Sequence, residues 1–413
     1  MPGNLYIYTI LKDYFKSTLA DNDKKSSTKK DCQTRVLYNA NEIYSFIDND
    51  LKSMVLDSPE PAEVICTFDV CNIPKSASAI SKSDGKKIRS TPHVKIGFNP
   101  RNTTMNDYLS IYFFISKYNH VSFDFYDNNT FKDRNIVVVK SKVALMCSLD
   151  QRGAIAMLTI ITDPTIVDIV YNRINSLFKI QHLLVTSMTS AELVSSGYRS
   201  NFYAFNDYHI FLARGFEYLL PPEIIDNIVE AAYSQGYDST TEKMLRTLMI
   251  TWEDLFNKEH LEFFMTKSDL IRYVEDGEFY FTDIVYRMSI EERKKHIEHI
   301  LELCEKNDHI SFYILDDEDI PYSHQNVKFS IYNNHNKLFL KNTVRFYSSY
   351  GPQFYSILSD SIINGISNSF EKLKELDLCS HYSAKSIKPF MDQYGAMVYR
   401  MLSLSAITSK KRE

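Results

Sequence analysis

The stretch from Leu261 to Leu315 carries more local instruction than any other part of the chain. It reads as a strand (Leu261–Met265), a short helix, a turn, a longer amphipathic helix and a second strand (Ile310–Leu315). Thr266 with Asp269, and Ser289 with Glu292, match the capping-box spacing, in which a hydroxyl and a carboxyl satisfy orphan backbone donors at a helix start. Gly277 falls where the first helix needs a left-handed residue to stop it. The C-terminal half is built on this αα unit framed by strands.

A chain of 413 residues exceeds one ordinary core, which points to two or three domains. The expected division is 1–92, a helical and strand region with polar loops; 93–258, a central α/β domain; and 259–413, a C-terminal α+β domain. The expected fold class is therefore α+β (mixed α/β) and multi-domain, with a helix-covered sheet in the middle and two long helices at the end. Apolar runs such as Ala154–Ile161 fall well short of the roughly 20 residues that cross a bilayer, so no membrane is expected. Met1-Pro2-Gly3-Asn4 does not open a basic-then-apolar leader. Six scattered cysteines without a CxxC pair suit reduced thiols, and the expected location is cytoplasmic.

Taken in order, Leu5–Leu19 has helical spacing and Asp21–Asp31 breaks it. A helix follows from about Asn41, read as its N-cap, with Ile43, Phe46, Ile47, Leu51 and Met54 on one face. So long an insert between two helices is not the three- or four-residue turn of a helix-turn-helix reader. Val64–Val70 reads as a strand and Lys75–Pro92 as a linker. Strands are expected at Val94–Phe98, Val121–Tyr126, Ile136–Val139 and Ala154–Ile161, with a helix at Asn106–Lys117 and another opened by Asp163-Pro164. Further helices run from Pro221-Pro222 to Ala232 and from Thr241 to Phe256. A hairpin pairs Lys328–Tyr332 with Leu338–Lys341, and two long helices close the chain, Gln353–Leu376 and one carrying Phe390, Tyr394, Met397, Val398 and Met401. No repeat recurs at solenoid spacing.

The net charge of −5 gives no general attraction to nucleic acid. Residues 1–101 are the exception, with 15 Lys+Arg against 12 Asp+Glu, concentrated in Lys24–Lys30 and Lys82–Arg101. Solvated loops are the plainer reading. A phosphate-contacting arm would use Lys24, Lys25, Lys86, Lys87 and Arg89. Tyr198–Tyr218 is unusually aromatic and has three readings: core packing, a stacking platform for single strands, or a ligand pocket. The pocket would be lined by Tyr203 and Tyr208 and anchored by Arg199, His209 and Arg214.

Catalytic candidates are thin. His296 and His299 have a spacing that suits a metal, but the helical wheel places Ile290, Ile297, Ile300, Leu301 and Cys304 on the buried stripe and both histidines away from its centre. Asp316-Asp317-Glu318-Asp319 reads as a solvated turn. Asp124 and Asp127 end a strand and could act as acid and base. GxGxxG, GxxxxGK[ST], HExxH and GxSxG are all missing, so no catalytic residue, resident metal or cofactor is expected.

Phe264-Met265-Thr266-Lys267-Ser268-Asp269-Leu270, Gly277 and Met288-Ser289-Ile290-Glu291-Glu292-Arg293, together with Arg214–Ile225 (containing Leu219-Leu220-Pro221-Pro222-Glu223), carry a resemblance. Over about residues 205–320 the chain resembles the C-terminal, non-DNA-binding region of Firmicute helix-turn-helix transcriptional regulators. The resemblance implies a bacterial regulatory role, with this half as a sensing or dimerising part. It departs at the N-terminus, where no compact helix-turn-helix is found, which leaves sensing or partner binding ahead of direct DNA contact. The expectation is a cytoplasmic regulatory protein that binds a small-molecule ligand or a partner, with a homodimer through the C-terminal helices. The alternative is an enzyme whose site, assembled between domains, would draw on Asp124, Asp127, His209 and Arg214.

Overall fold

The computed structural model describes residues 34–56, 58–70, 90–100, 105–119, 121–129, 134–149, 155–213, 216–281, 284–317, 329–343, 352–383 and 386. The chain forms two compact units, one from residues 1–187 and 347–362 and the other from 188–346 and 363–413. Both are mixed α+β, the expected class.

Unit 1 contains β1 (Thr34–Leu37), β2 (Glu63–Asp69), β3 (His93–Phe98), β4 (Ser122–Asp127), β5 (Ile136–Val139), β6 (Val143–Leu149), β7 (Ile155–Ile161) and β8 (Leu183–Met188). A later strand, β16 (Phe354–Ile357), joins them in the order β1-β7-β6-β5-β2-β3-β4-β8-β16. Its helices are α1 (Ala40–Ser45), α2 (Lys52–Leu56), α3 (Met105–Lys117) and α4 (Pro164–Lys179). Asp163 caps α4 by accepting from the Ile166 N–H, and Pro164 occupies the first turn, where a missing N–H costs nothing. The stripe Val167, Tyr171, Ile174 and Phe178 then packs on Ile65, Val138 and Ala144.

Unit 2 contains α5 (Ser190–Ser195), α6 (Tyr198–Phe202), β9 (Asp207–Leu212), α7 (Pro222–Ser234), α8 (Ser239–Lys258), β10 (His260–Thr266) and α9 (Lys267–Asp276). It continues through a hairpin, β11 (Glu278–Phe281) and β12 (Ile284–Arg287), then α10 (Ile290–Lys306) and β13 (Ile310–Leu315). The last elements are β14 (Phe329–Asn333), β15 (Leu338–Asn342), α11 (Asp360–Lys374) and β17 (Cys379–Tyr382), and the sheet order is β15-β14-β9-β10-β13-β17.

The strands of the two units share a plan. Three parallel strands stand in a row, β2-β3-β4 in one and β9-β10-β13 in the other. An antiparallel hairpin flanks the first strand, β5–β6 on β2 and β14–β15 on β9. Further along the chain comes a helix, α4 or α11, and then a strand antiparallel to the third, β8 on β4 and β17 on β13. This recurrence lies in topology, beyond the reach of a search for sequence repeats.

The αα unit is the crossover between the parallel strands β10 and β13. Thr266 caps α9 through the Asp269 N–H, Gly277 closes it at φ 63, and Ser289 and Glu292 form the full capping box of α10. An added Cβ at Gly277 would meet the Met288 carbonyl at 2.7 Å, so sterics as well as backbone handedness require glycine there.

Several expectations change. The cuts at 92/93 and 258/259 fall between β2 and β3 and between α8 and β10, yet β2 pairs with β3 and β9 pairs with β10 across them. The N-cap of the first described helix is Asn39, not Asn41, and accepts from the Asn41 and Glu42 N–H groups. Gln353–Leu376 is not one helix: Phe354–Ile357 pairs as β16 and the helix begins at Asp360. His296 is fully buried, because the inward stripe of α10 runs through Arg293, His296 and Cys304; His299 is partly buried. Tyr273 donates its hydroxyl to His296 Nδ1 (2.5 Å) and His296 Nε2 donates to the Tyr218 carbonyl (2.8 Å). Asp317 is no solvated turn residue, since it is buried and accepts from the Ser268 N–H and hydroxyl at the start of α9. Leu5–Leu19, the Asp21–Asp31 segment, Lys75–Arg89 and the Phe390–Met401 helix lie outside the described residues. Among those described, no helix is long and apolar enough to cross a membrane.

Candidate functional site

Strand alternation sorts the aromatic segment. Tyr208 and Ile210 of β9 face one side of the sheet and His209 and Phe211 the other. Tyr208 is fully buried, and its hydroxyl is spent on the Phe205 carbonyl (2.6 Å). Phe202, Phe216 and Tyr218 are buried as well, with Tyr218 packed on Trp252 at 4.3 Å between ring centroids. Tyr203, half-buried, is hydrogen-bonded to the Tyr218 hydroxyl. Arg214 lies outside the described residues, as do the side chain of Arg199 and Lys24, Lys25, Lys86, Lys87 and Arg89. Most of the described rings fill the interior, and His209 stands apart from Tyr208 on the opposite face.

That opposite face carries a charged cluster. Register sets Glu262 of β10 directly against His209, and Asn333 of β14 against it on the other side. His209 Nε2 lies 2.8 Å from Glu262 Oε2 and 3.4 Å from Glu371 Oε1, the latter supplied by α11. Lys374, one turn further along α11, places Nζ 2.5 Å from Glu262 Oε2 and 3.1 Å from Glu371 Oε1. Tyr313 of β13 donates to Glu262 Oε1 at 3.2 Å, and Phe370 packs on the His209 ring. The His335 ring, at the β14–β15 turn, stands 4.6 Å from that of His209.

His209 and Glu262 are buried while Glu371 is more than half exposed, so the cluster opens to solvent at one corner. Burial alone would raise the Glu262 carboxyl. Hydrogen bonds and charge from His209 and Lys374 outweigh it and hold the group down at about 2. Glu262 is therefore an anion at neutral pH. His209 Nδ1 is buried and has no hydrogen-bond partner.

Two other polar groupings are self-contained. In unit 1, Asp124 accepts from His93 Nε2 (2.9 Å) and Thr186 (2.7 Å), while Asp127 accepts from the Asn129 N–H. Three positions apart on β4, the two carboxylates face opposite sides of the strand. In unit 2, on the face away from His209, buried Glu217 is ion-paired to buried Lys341 and accepts from the Tyr332 hydroxyl (2.5 Å).

No protein-family model and no curated protein matches the chain. Among solved structures it is similar to the crystal structure of phosphatidylserine synthase from Haemophilus influenzae Rd KW20. The identity is 11% and the TM-score 0.30, over 92% of this chain and 94% of that one, a likeness too slight to assign an activity.

Proposed function

We propose that the chain is a cytoplasmic regulatory protein of the sensing kind, and that unit 2 receives its ligand at the His209–Glu262–Glu371–Lys374 cluster. The supporting observation is the shared plan of the two units. In unit 1 the place of His209, under the helix and beside the hairpin strand, belongs to Ile65. Counted from the first residue of each helix, Phe178 of α4 stands where Lys374 stands in α11, and Asn175 where Glu371 stands. Unit 1 builds this corner around buried Ile65 and Phe178, while Lys95, in the place of Glu262, reaches Asn175 (2.9 Å) and pairs in register with Asp124, itself held by His93. The architecture does not demand the imidazole and ammonium of unit 2, whose places are apolar in unit 1. Removing an ion from water costs several kcal/mol, about what its partner returns, so such a cluster is weakly justified by stability alone. Four described cysteines are free thiols, in keeping with a reducing compartment.

Differential scanning fluorimetry of the full chain against a panel of metal ions, amines and small carboxylic acids tests this reading. At least one class is expected to raise the melting midpoint of the wild type and to lose most of that effect in Glu371→Gln, a change at an exposed position. A panel with no active member, or a shift that Glu371→Gln leaves intact, contradicts it.

A further inference from the structure

The donor set of the cluster narrows the ligand, on the premise that the cluster is a ligand site. His209, Glu262 and Glu371 each bring one donor atom, and the three atoms lie within 4.8 Å of one another. Ligands at about 2.0–2.2 Å from a tetrahedral ion stand roughly 3.3 Å apart. The His209 Nε2 separations, 2.8 Å to Glu262 and 3.4 Å to Glu371, bracket that spacing. One imidazole with two carboxylates is a borderline donor set, suited to zinc and its transition-metal neighbours rather than to magnesium or calcium, which take oxygen alone. The same two carboxylate oxygens already hold one cation, the Lys374 ammonium.

The second nitrogen of the His209 ring leaves open the tautomer that ligation requires, though it gains no partner by it. His209 is 4% exposed, and its Nδ1 has no partner, an arrangement that leaves a buried polar atom uncompensated while Nε2 faces the carboxylates. Ligation needs the Nε2 lone pair, so the hydrogen of the neutral ring moves to Nδ1, the nitrogen with no existing bond to lose.

We propose that His209 Nε2, Glu262 Oε2 and Glu371 Oε1 form a divalent transition-metal site whose place is held in the metal-free chain by the Lys374 ammonium, so that metal uptake and Lys374 release are one event. Charge balances in the metal-bound state: two carboxylates and a neutral imidazole carry −2, which a divalent ion cancels in full. Three donors come from the chain, and the fourth tetrahedral position opens on the exposed Glu371 side. Lys374 is the last residue of α11 and also lies over the Tyr313 ring, 5.6 Å from its centre, so its release loosens the junction between α11 and β13. That junction is the element through which occupancy would be read out. Lys374 also raises the metal concentration at which the site fills, because each ion must displace it.

Calorimetric titration of the full chain with zinc chloride, and separately with magnesium chloride, tests the proposal in the wild type, Lys374→Met and Glu371→Gln. The expected result is one zinc per chain, no magnesium uptake, at least tenfold tighter zinc binding in Lys374→Met, and at least tenfold weaker binding in Glu371→Gln. Cobalt(II) titrated into the wild type supplies a readout independent of any variant: a strong visible absorption marks tetrahedral ligation and is displaced by zinc. Absence of uptake in both the wild type and Lys374→Met, zinc affinity indifferent to both substitutions, or a weak octahedral cobalt spectrum overturns the metal site. If an organic member of the fluorimetry panel still acts through Glu371 in that event, the ligand-binding reading stands and only the metal falls.

Discussion

Replacing Lys341 by Met is expected to destabilise unit 2 by about 3–5 kcal/mol, the usual cost of stranding one member of a buried ion pair. Lys341 and Glu217 are each less than a tenth exposed, and the Tyr332 hydroxyl completes the Glu217 carboxylate. Removing the ammonium leaves an anion with one neutral donor in a site walled by Tyr218, Tyr332 and Phe339. The penalty comes from the stranded charge rather than from lost attraction. Changing the whole group together, Lys341→Met with Glu217→Leu and Tyr332→Phe, should therefore recover most of the loss. Urea unfolding at neutral pH checks both variants. A Lys341→Met protein within 1 kcal/mol of the wild type would mean that water reaches Glu217.

Acid should weaken the fold through His296 well before the carboxylates titrate. Burial lowers this imidazole from an ordinary 6.5 to about 3, against the partial support of its bond to the Tyr218 carbonyl. The folded-state value lies below the unfolded one, so the neutral ring contributes its full stability above pH 6.5 and loses it as pH falls toward 3. At pH 5 the unfolded chain already binds this proton and the folded chain does not, a loss of about 2 kcal/mol relative to pH 7.5 at 1.4 kcal/mol per pH unit. Protonation would also end the role of Nδ1 as acceptor for Tyr273. Urea midpoints between pH 7.5 and 5 should fall in the wild type and fall distinctly less in His296→Gln, which can still donate and accept but does not titrate. Parallel pH profiles for the two proteins would remove His296 as the cause.

How far the chain can be read in advance depends on whether the signal is local. Capping residues act within one turn of helix, and Asp163, Thr266, Gly277 and Ser289 all take the roles their spacing assigns. Strand order is not local, so the parallel rows and the recurrence of one plan in two units have no sequence mark. The Phe354–Ile357 segment misleads because three apolar or aromatic residues ahead of an amphipathic helix continue its periodicity; pairing in a sheet overrides that pattern. His296 misleads for another reason. A wheel ranks residues by hydrophobicity and cannot show that a tyrosine and a carbonyl wait to satisfy both ring nitrogens.

Of the charged cluster only His209 was marked, and for its aromatic neighbours rather than for its partners. Glu371 and Lys374, three apart on a helix, look like an ordinary surface pair. Glu262 does leave a trace, a lone carboxylate between Leu261 and Phe263 in a mostly apolar strand with six of its seven residues buried. An acid at the centre of such a strand must have a partner. Nothing in the chain's order says that the partners lie on β9 and α11.

Whether the charged cluster serves a ligand or the fold is decided by one measurement. The cluster of unit 2 can be made apolar by combining His209→Ile, Glu262→Val, Tyr313→Phe and Lys374→Phe, with the tyrosine changed so that no hydroxyl is stranded. Calorimetric melting of this full-length variant should give a midpoint equal to or above that of the metal-free wild type, and added zinc should no longer move it. A variant that melts well below the wild type would show the charges to be part of the fold's own support, and one still stabilised by zinc would place the ligand elsewhere.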